Sequence, residues 1–231
     1  STVLIGQVNL NYNNTAFPTT GITEVLTVNY YDDYTFVDTD KPTIPTTVLG
    51  DAVTQRTNGL QTASWVKTLG QNTWAKNYIV YDEKGREIKI IAKNYLGGSS
   101  IVESKLDFSG KVEKTVTSHK KLTTDTPIII TDNFEYEHTG RLLRNTQQIN
   151  SQPVEVITSN TYDNLGMQIQ KNVGGTAIKP LQKIDYTYNI KGALTQIKNV
   201  NSALRTSNDN DLFPYKINYN NAIEGTASAS Q

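Results

Sequence analysis

The chain has 231 residues, of which 36% are apolar, and it contains no cysteine. Lys and Arg together number 22 and Asp and Glu 22, so the formal charge is zero; this argues against a nucleic-acid partner, whose phosphates call for clustered positive charge. Without cysteine there is neither a disulfide framework nor a thiolate metal site, and no apolar run approaches the roughly 18 residues that a membrane helix needs. The modest apolar fraction predicts a thin core between turns and a polar surface. Thirteen tyrosines and five phenylalanines suit half-buried strands. A chain that starts at Ser1 and closes on the small residues of Gly225–Gln231 is expected to be a piece of a longer protein.

In chain order, Val8, Leu10 and Tyr12 alternate with polar neighbours, which predicts a half-buried strand broken by Asn13-Asn14 and Phe17-Pro18. Leu26, Val28 and Tyr30 share one face of a second alternating run over Val25–Tyr31. Asp38 to Pro45 holds Pro42 and Pro45, which lack the ladder donor, and is expected as a loop. Trp65 centres a further strand over Ala63–Leu69. Residues 1–70 show no clear copy of the motif that follows and read as an upstream strand region. Residues 71–231 read as a repeat array, one continuous structural unit. Helical periodicity is hard to find anywhere, so the fold class is all-β.

The array is carried by one motif. Tyr81-Asp82-Glu83-Lys84-Gly85-Arg86 returns as Tyr136-Glu137-His138-Thr139-Gly140-Arg141 and as Tyr162-Asp163-Asn164-Leu165-Gly166. Tyr188-Asn189-Ile190-Lys191-Gly192 is a fourth copy, and Leu106-Asp107-Phe108-Ser109-Gly110-Lys111 a fifth with Leu in place of Tyr. The glycines lie 25, 30, 26 and 26 residues apart, a period that marks a repeat architecture. It accommodates two strands of about nine residues and two turns of about four, one antiparallel hairpin per repeat.

Flanking residues alternate as strands do, for example Ile184, Tyr186 and Tyr188 against Asp185, Thr187 and Asn189. Gly97-Gly98 and Gly174-Gly175, each soon after a Lys-Asn pair, mark further hairpin turns. Asn199–Leu212 is expected as a protruding loop and Tyr215–Tyr219 as the next strand.

The motif has a turn mechanism. The Asp, Asn or Glu after the tyrosine accepts backbone N–H bonds inside the turn. The glycine supplies the positive φ that closes it. The tyrosine ring packs on the sheet while its hydroxyl reaches a polar partner. Asp82, Asp107, Glu137 and Asp163 invite a catalytic reading, but one active site does not need a new acid in every repeat, so they are assigned to turn capping.

Asp32, Asp33, Asp38 and Asp40 could offer oxygen ligands to calcium, yet they lack the glycine and terminal Glu of a calcium loop. A solvated loop is the simpler reading, and it serves for Asn208-Asp209-Asn210-Asp211 as well. His119 and His138 have no nucleophile or metal-ligand spacing around them, and nucleophile elbows, phosphate loops and dinucleotide fingerprints are missing. Trp65 and Trp74 could stack on a sugar but equally suit core or edge packing. No catalytic residue, cofactor or metal ligand is therefore expected.

The Tyr-Asp-x-x-Gly-Arg motif at this step resembles the YD-repeat of Rhs proteins, over about Trp74 to Val200, and wording such as Lys93-Asn94-Tyr95-Leu96-Gly97-Gly98 is similar to versions from Bacteroidetes-type bacteria. The resemblance implies a long curved sheet that spirals into a shell, often around a C-terminal toxin, at a secreted or cell-surface location. The self-cleaving core segment and the toxin have no match here, so no enzymatic activity is carried over. The implied function is structural, with exposed strand edges meeting the rest of a longer chain or other proteins, and an enclosed toxin domain as a partner. The alternative is an adhesin-like module that binds a glycan or a partner protein.

Overall fold

A computed structural model describes residues 3–5, 8–10, 20–197 and 215–219. Among these there are 17 strands and no helix. The expectation of an all-β chain therefore holds. The first third contributes β1 (Val3–Ile5), β2 (Val8–Leu10), β3 (Thr27–Asp32), the short β4 (Thr47–Val48) and β5 (Asp51–Ala52), and β6 (Thr57–Lys67). Then come β7 (Trp74–Tyr81), β8 (Glu87–Lys93), β9 (Gly97–Leu106), β10 (Val112–Leu122) and β11 (Ile128–Tyr136). The last strands are β12 (Leu142–Ile149), β13 (Glu155–Tyr162), β14 (Gln168–Gly175), β15 (Pro180–Tyr188), β16 (Leu194–Ile197) and β17 (Tyr215–Lys216).

Thirteen of these strands form one sheet in the order β17 to β6 and then β3, while β1 with β2 and β4 with β5 form separate two-stranded pairs. Sequence neighbours are sheet neighbours throughout, apart from the step from β6 to β3. This is the arrangement short hairpin turns enforce. The order begins at β17 and ends at β3, so the sheet is open rather than closed into a barrel. The loop expected over Asn199–Leu212 and the cation candidate at Asn208-Asp209-Asn210-Asp211 lie outside the described residues. The strand expected over Tyr215–Tyr219 is β17, confined to Tyr215–Lys216.

The chain divides into two compact units, Ser1–Asp132 with Ile149–Gln152, and Asn133–Gln148 with Pro153–Gln231. In the first, cross-strand registers dictate the core. Val28 lies opposite Trp65, and Tyr30 opposite Ala63; Ala63 lies opposite Tyr78, Tyr78 opposite Ile91, and Ile91 opposite Ile101. Directly opposed residues share a face, so this row is a single apolar stripe across five strands. Leu10 and Phe36 cover it and close a cluster with Ala63, Trp65, Tyr78 and Ile91. Phe36 stacks on Tyr30 with ring centroids 4.6 Å apart, and Tyr30 meets the edge of Trp65 at 5.0 Å. Burying rings of this size is the largest favourable contribution available to a chain this polar.

The second unit is built differently. Ser159 lies opposite Asn172 and Asn172 opposite Lys183, giving one polar face. Asn160 opposite Lys171 and Lys171 opposite Ile184 belong to the other face. Along β15 burial alternates strictly, with Ile184, Tyr186 and Tyr188 half-buried and Lys183, Asp185 and Thr187 exposed.

Candidate functional site at the repeat corners

Each motif forms the corner of a hairpin, built from three elements that the sequence specifies. The first is the glycine. Gly85, Gly110, Gly140, Gly166 and Gly192 have φ of 74°, 93°, 87°, 85° and 79°, the left-handed region that only glycine enters without cost. The N–H of each bonds back to the carbonyl of the capping residue three positions earlier, as in Gly85 to Asp82 at 3.0 Å and Gly166 to Asp163 at 2.9 Å. A four-residue turn followed by a left-handed glycine makes a bulge. The ladder accordingly slips by one residue between Val80 and Tyr81, Thr161 and Tyr162, and Thr187 and Tyr188.

The second element is the cap. Asp82 Oδ1 accepts the N–H groups of Lys84 and Arg86, both at 2.9 Å, while Oδ2 accepts Arg86 Nε at 2.7 Å. Asp163 Oδ1 takes the N–H of Leu165 at 2.9 Å and of Met167 at 2.8 Å. Asn189 Oδ1 takes those of Lys191 and Ala193 at 3.0 and 2.9 Å. An amide makes these two turn bonds as well as a carboxylate, so the turn itself requires an acceptor rather than a charge. Asp107 Oδ1 accepts from Lys111 N–H and from the Ser109 hydroxyl, each at 2.8 Å. Glu137, one methylene longer, holds the Thr139 hydroxyl and Arg141 Nε instead.

The electrostatics agree with capping. Burial pushes the Asp82 carboxyl upward, but the Arg86 N–H and guanidinium and the Lys84 N–H outweigh it and hold the group below the usual carboxylate range. The Ser109 hydroxyl does the same for Asp107, and the Arg141 guanidinium for Glu137. Each group is kept ionised, the opposite of a proton donor poised near neutrality.

The third element is a latch that the motif alone does not reveal. Tyr81 donates its hydroxyl to the Gln61 carbonyl at 2.7 Å, Tyr162 to Leu142 at 2.9 Å and Tyr188 to Gln168 at 2.8 Å. For Tyr162 and Tyr188 the acceptor is the second residue after the preceding glycine, so each tyrosine ties its hairpin to the one before. The arginines reach the other way. Arg86 Nη1 donates to the Asp107 carbonyl at 2.8 Å, and the Arg141 guanidinium lies 4.8 Å from the centre of the Tyr162 ring. A side chain at Gly166 would run into that guanidinium. Sequence reasoning placed Arg86 and Arg141 in the motif without this role, because their partners lie a whole repeat away.

The corner between β8 and β9 follows the same plan. Asn94 Oδ1 accepts the N–H groups of Leu96 and Gly98 at 2.9 Å, and Gly97 has φ of 82°. A cleft of about 280 Å³ opens at the first corners, lined by Asp51, Asp82, Lys84, Arg86, Asp107 and Phe108 among others. Asp82 pairs with Arg86 at 2.7 Å and Lys84 lies above the Phe108 ring at 4.3 Å, while Asp51 Oδ2 is buried without a hydrogen-bond partner.

The other candidates are dispersed. Asp32 Oδ1 accepts the Gly59 N–H and Asp33 the Thr35 hydroxyl, while Asp38 and Asp40 pair with Lys76. Among the described residues no group of three or more acidic or histidine side chains is placed to hold a metal ion. His119 and His138 are exposed. Trp65 is 2% exposed, so the sugar platform considered for it is closed and its role is core. Among the described residues no helix is long and apolar enough to cross a membrane. No protein-family model matches the chain, and no curated protein matches it.

Proposed function

We propose that the chain is a structural segment of a secreted or cell-surface protein of the Rhs/YD-repeat kind, part of a β-shell that encloses or displays an effector. The observation that carries this reading is the corner itself. An interlocking unit that recurs at a fixed step and ties each hairpin to its neighbours is suited to extending a sheet indefinitely. The capping side chains are engaged within their own turns, so they support architecture in place of reaction, and no chemistry is assigned to the chain. The open ends of the sheet order at β3 and β17 suit continuation into further chain or docking of other proteins along strand edges.

The test is cryo-electron microscopy of the full-length gene product together with protease protection of whatever follows the repeats. Strands that extend the sheet beyond β3 and β17, around a downstream domain that resists digestion, are the expected result. A sheet that stops at those strands, beside a downstream domain digested as fast as in isolation, would overturn the proposal.

A further inference from the structure

Residues 1–70 lack a visible motif, yet they hold the geometry of one. Tyr31 lies opposite Gln61, with the ladder slipping beside it. This is how Tyr81 lies opposite Glu87, Tyr162 opposite Gln168 and Tyr188 opposite Leu194. In the three plain copies the partner is the second residue after the corner glycine, and here that glycine is Gly59, with φ of 77°. Asp32 Oδ1 caps the Gly59 N–H at 2.6 Å. The Tyr81 latch ends on Gln61, the same place that the Tyr162 and Tyr188 latches take in their preceding repeats. Leu60 Cδ1 lies 3.7 Å from where a side chain on Gly85 would begin, the position that Arg86, Arg141 and Met167 occupy against Gly110, Gly166 and Gly192. Tyr31-Asp32 and Thr57-Asn58-Gly59-Leu60 are thus two halves of one corner, with residues 33–56 between them. Joined directly they read Tyr-Asp-Thr-Asn-Gly, the spacing of Tyr162-Asp163-Asn164-Leu165-Gly166.

We propose that residues 33–56 are a strap inserted into the first copy of the repeat, and that the aromatic face of β6, β7 and β8 is a docking site for this extended segment of the chain. The strap buries Tyr34, Phe36 and Val48. Asp38 anchors it, accepting from Lys76 Nζ at 2.6 Å and from the Tyr78 hydroxyl, and Lys93 Nζ donates to the Asp40 carbonyl. Thr54 N–H bonds to the Tyr81 carbonyl at 3.0 Å.

The receiving face is written for this occupant. Trp65 and Ile91 stand six residues after their corner glycines, where Thr146 and Asn172 stand in later repeats. Tyr78 stands three residues before its corner tyrosine, where Ser159 and Asp185 stand. Apolar residues occupy these positions under the strap and polar residues occupy them in the later repeats, while the intervening repeat, with Glu103 and Val116, has one of each. An aromatic patch left open on a sheet would be an aggregation liability, and a corner is the place in a sheet where an insertion costs least.

The test deletes residues 33–56 from the full chain. The β-sheet circular dichroism should persist, while Trp65 emission shifts to the red and binding of a hydrophobic dye rises several-fold. Adding a synthetic peptide of residues 33–56 should reverse both changes, and the same peptide carrying Asp38→Asn should bind about tenfold more weakly, the loss expected for a charge-assisted hydrogen bond. Should the deleted chain aggregate, soluble recovery on refolding with the peptide is the same readout. A second variant adds Trp65→Thr, Tyr78→Ser and Ile91→Asn to the deletion and should fold without binding dye or peptide. Unfolding of both variants would show the strap to be integral rather than inserted. A folded deletion variant that ignores the peptide at millimolar concentration would show that the face is no docking site. Either result overturns the proposal.

Discussion

At the scale of single residues, the corners turn on one glycine and one acceptor. Gly166 and Gly192 share the left-handed backbone but differ in their surroundings: a side chain at Gly166 meets the Arg141 guanidinium, whereas one at Gly192 meets only Met167 Cε at an ordinary 3.5 Å. Gly192→Ala should therefore cost about 1–2 kcal/mol from backbone strain alone. Gly166→Ala should cost more, since Arg141 must also leave Tyr162, and paired urea titrations would show the difference.

The pH dependence follows from two groups at the Tyr81–Arg86 corner. The folded-state pKa of Asp82 is lowered, so its contribution is present above the ordinary carboxylate value and is lost as pH falls through the folded value. Asp82→Asn should lower stability at neutral pH by about 1–2 kcal/mol and flatten the acid limb. Burial pushes Tyr81 up to about 12. Its contribution is complete below the ordinary tyrosine value and is lost as pH rises through the folded one, so Tyr81→Phe should flatten the alkaline limb. Denaturant midpoints measured across pH would detect both effects.

At the scale of elements, the hairpins are uniform in construction and unequal in packing. Trp65 lies inside an aromatic cluster, with rings of Tyr30, Phe36 and Trp74 at 5.0, 6.4 and 6.4 Å. Trp65→Ala removes all of these contacts and should cost about 3–5 kcal/mol. Ile190, at a corner tip, is fully exposed, and Ile190→Ser should stay within about 0.5 kcal/mol of the parent. Thermal or urea unfolding distinguishes the two outcomes readily.

At the scale of the whole molecule, a chain of hairpins whose contacts are mostly between neighbours has stability that varies along its length. The unit holding β6, β7 and β8 has the aromatic core. Within the other unit, the described residues include only one buried apolar side chain, Val156. Native-state hydrogen exchange should therefore give β7 and β8 clearly greater protection than β14 to β16. Equal protection along the array would mean that the corner latches, rather than the core, set stability.

The local rules were legible in the sequence because they act between residues a few positions apart. Alternation gave away the strands, and the tyrosine, acceptor and glycine gave away the corners with their positive φ. Three features depend on contacts about 20 or more residues away along the chain and emerged only in the tertiary structure. The tyrosine hydroxyls end on carbonyls about 20 residues back, a partner that carries no side-chain signature. Arg141 needs the bareness of a glycine 25 residues on. The first corner was hidden altogether, because residues 33–56 separate its aspartate from its glycine, and only the register of β3 against β6 brings Asp32 back to Gly59.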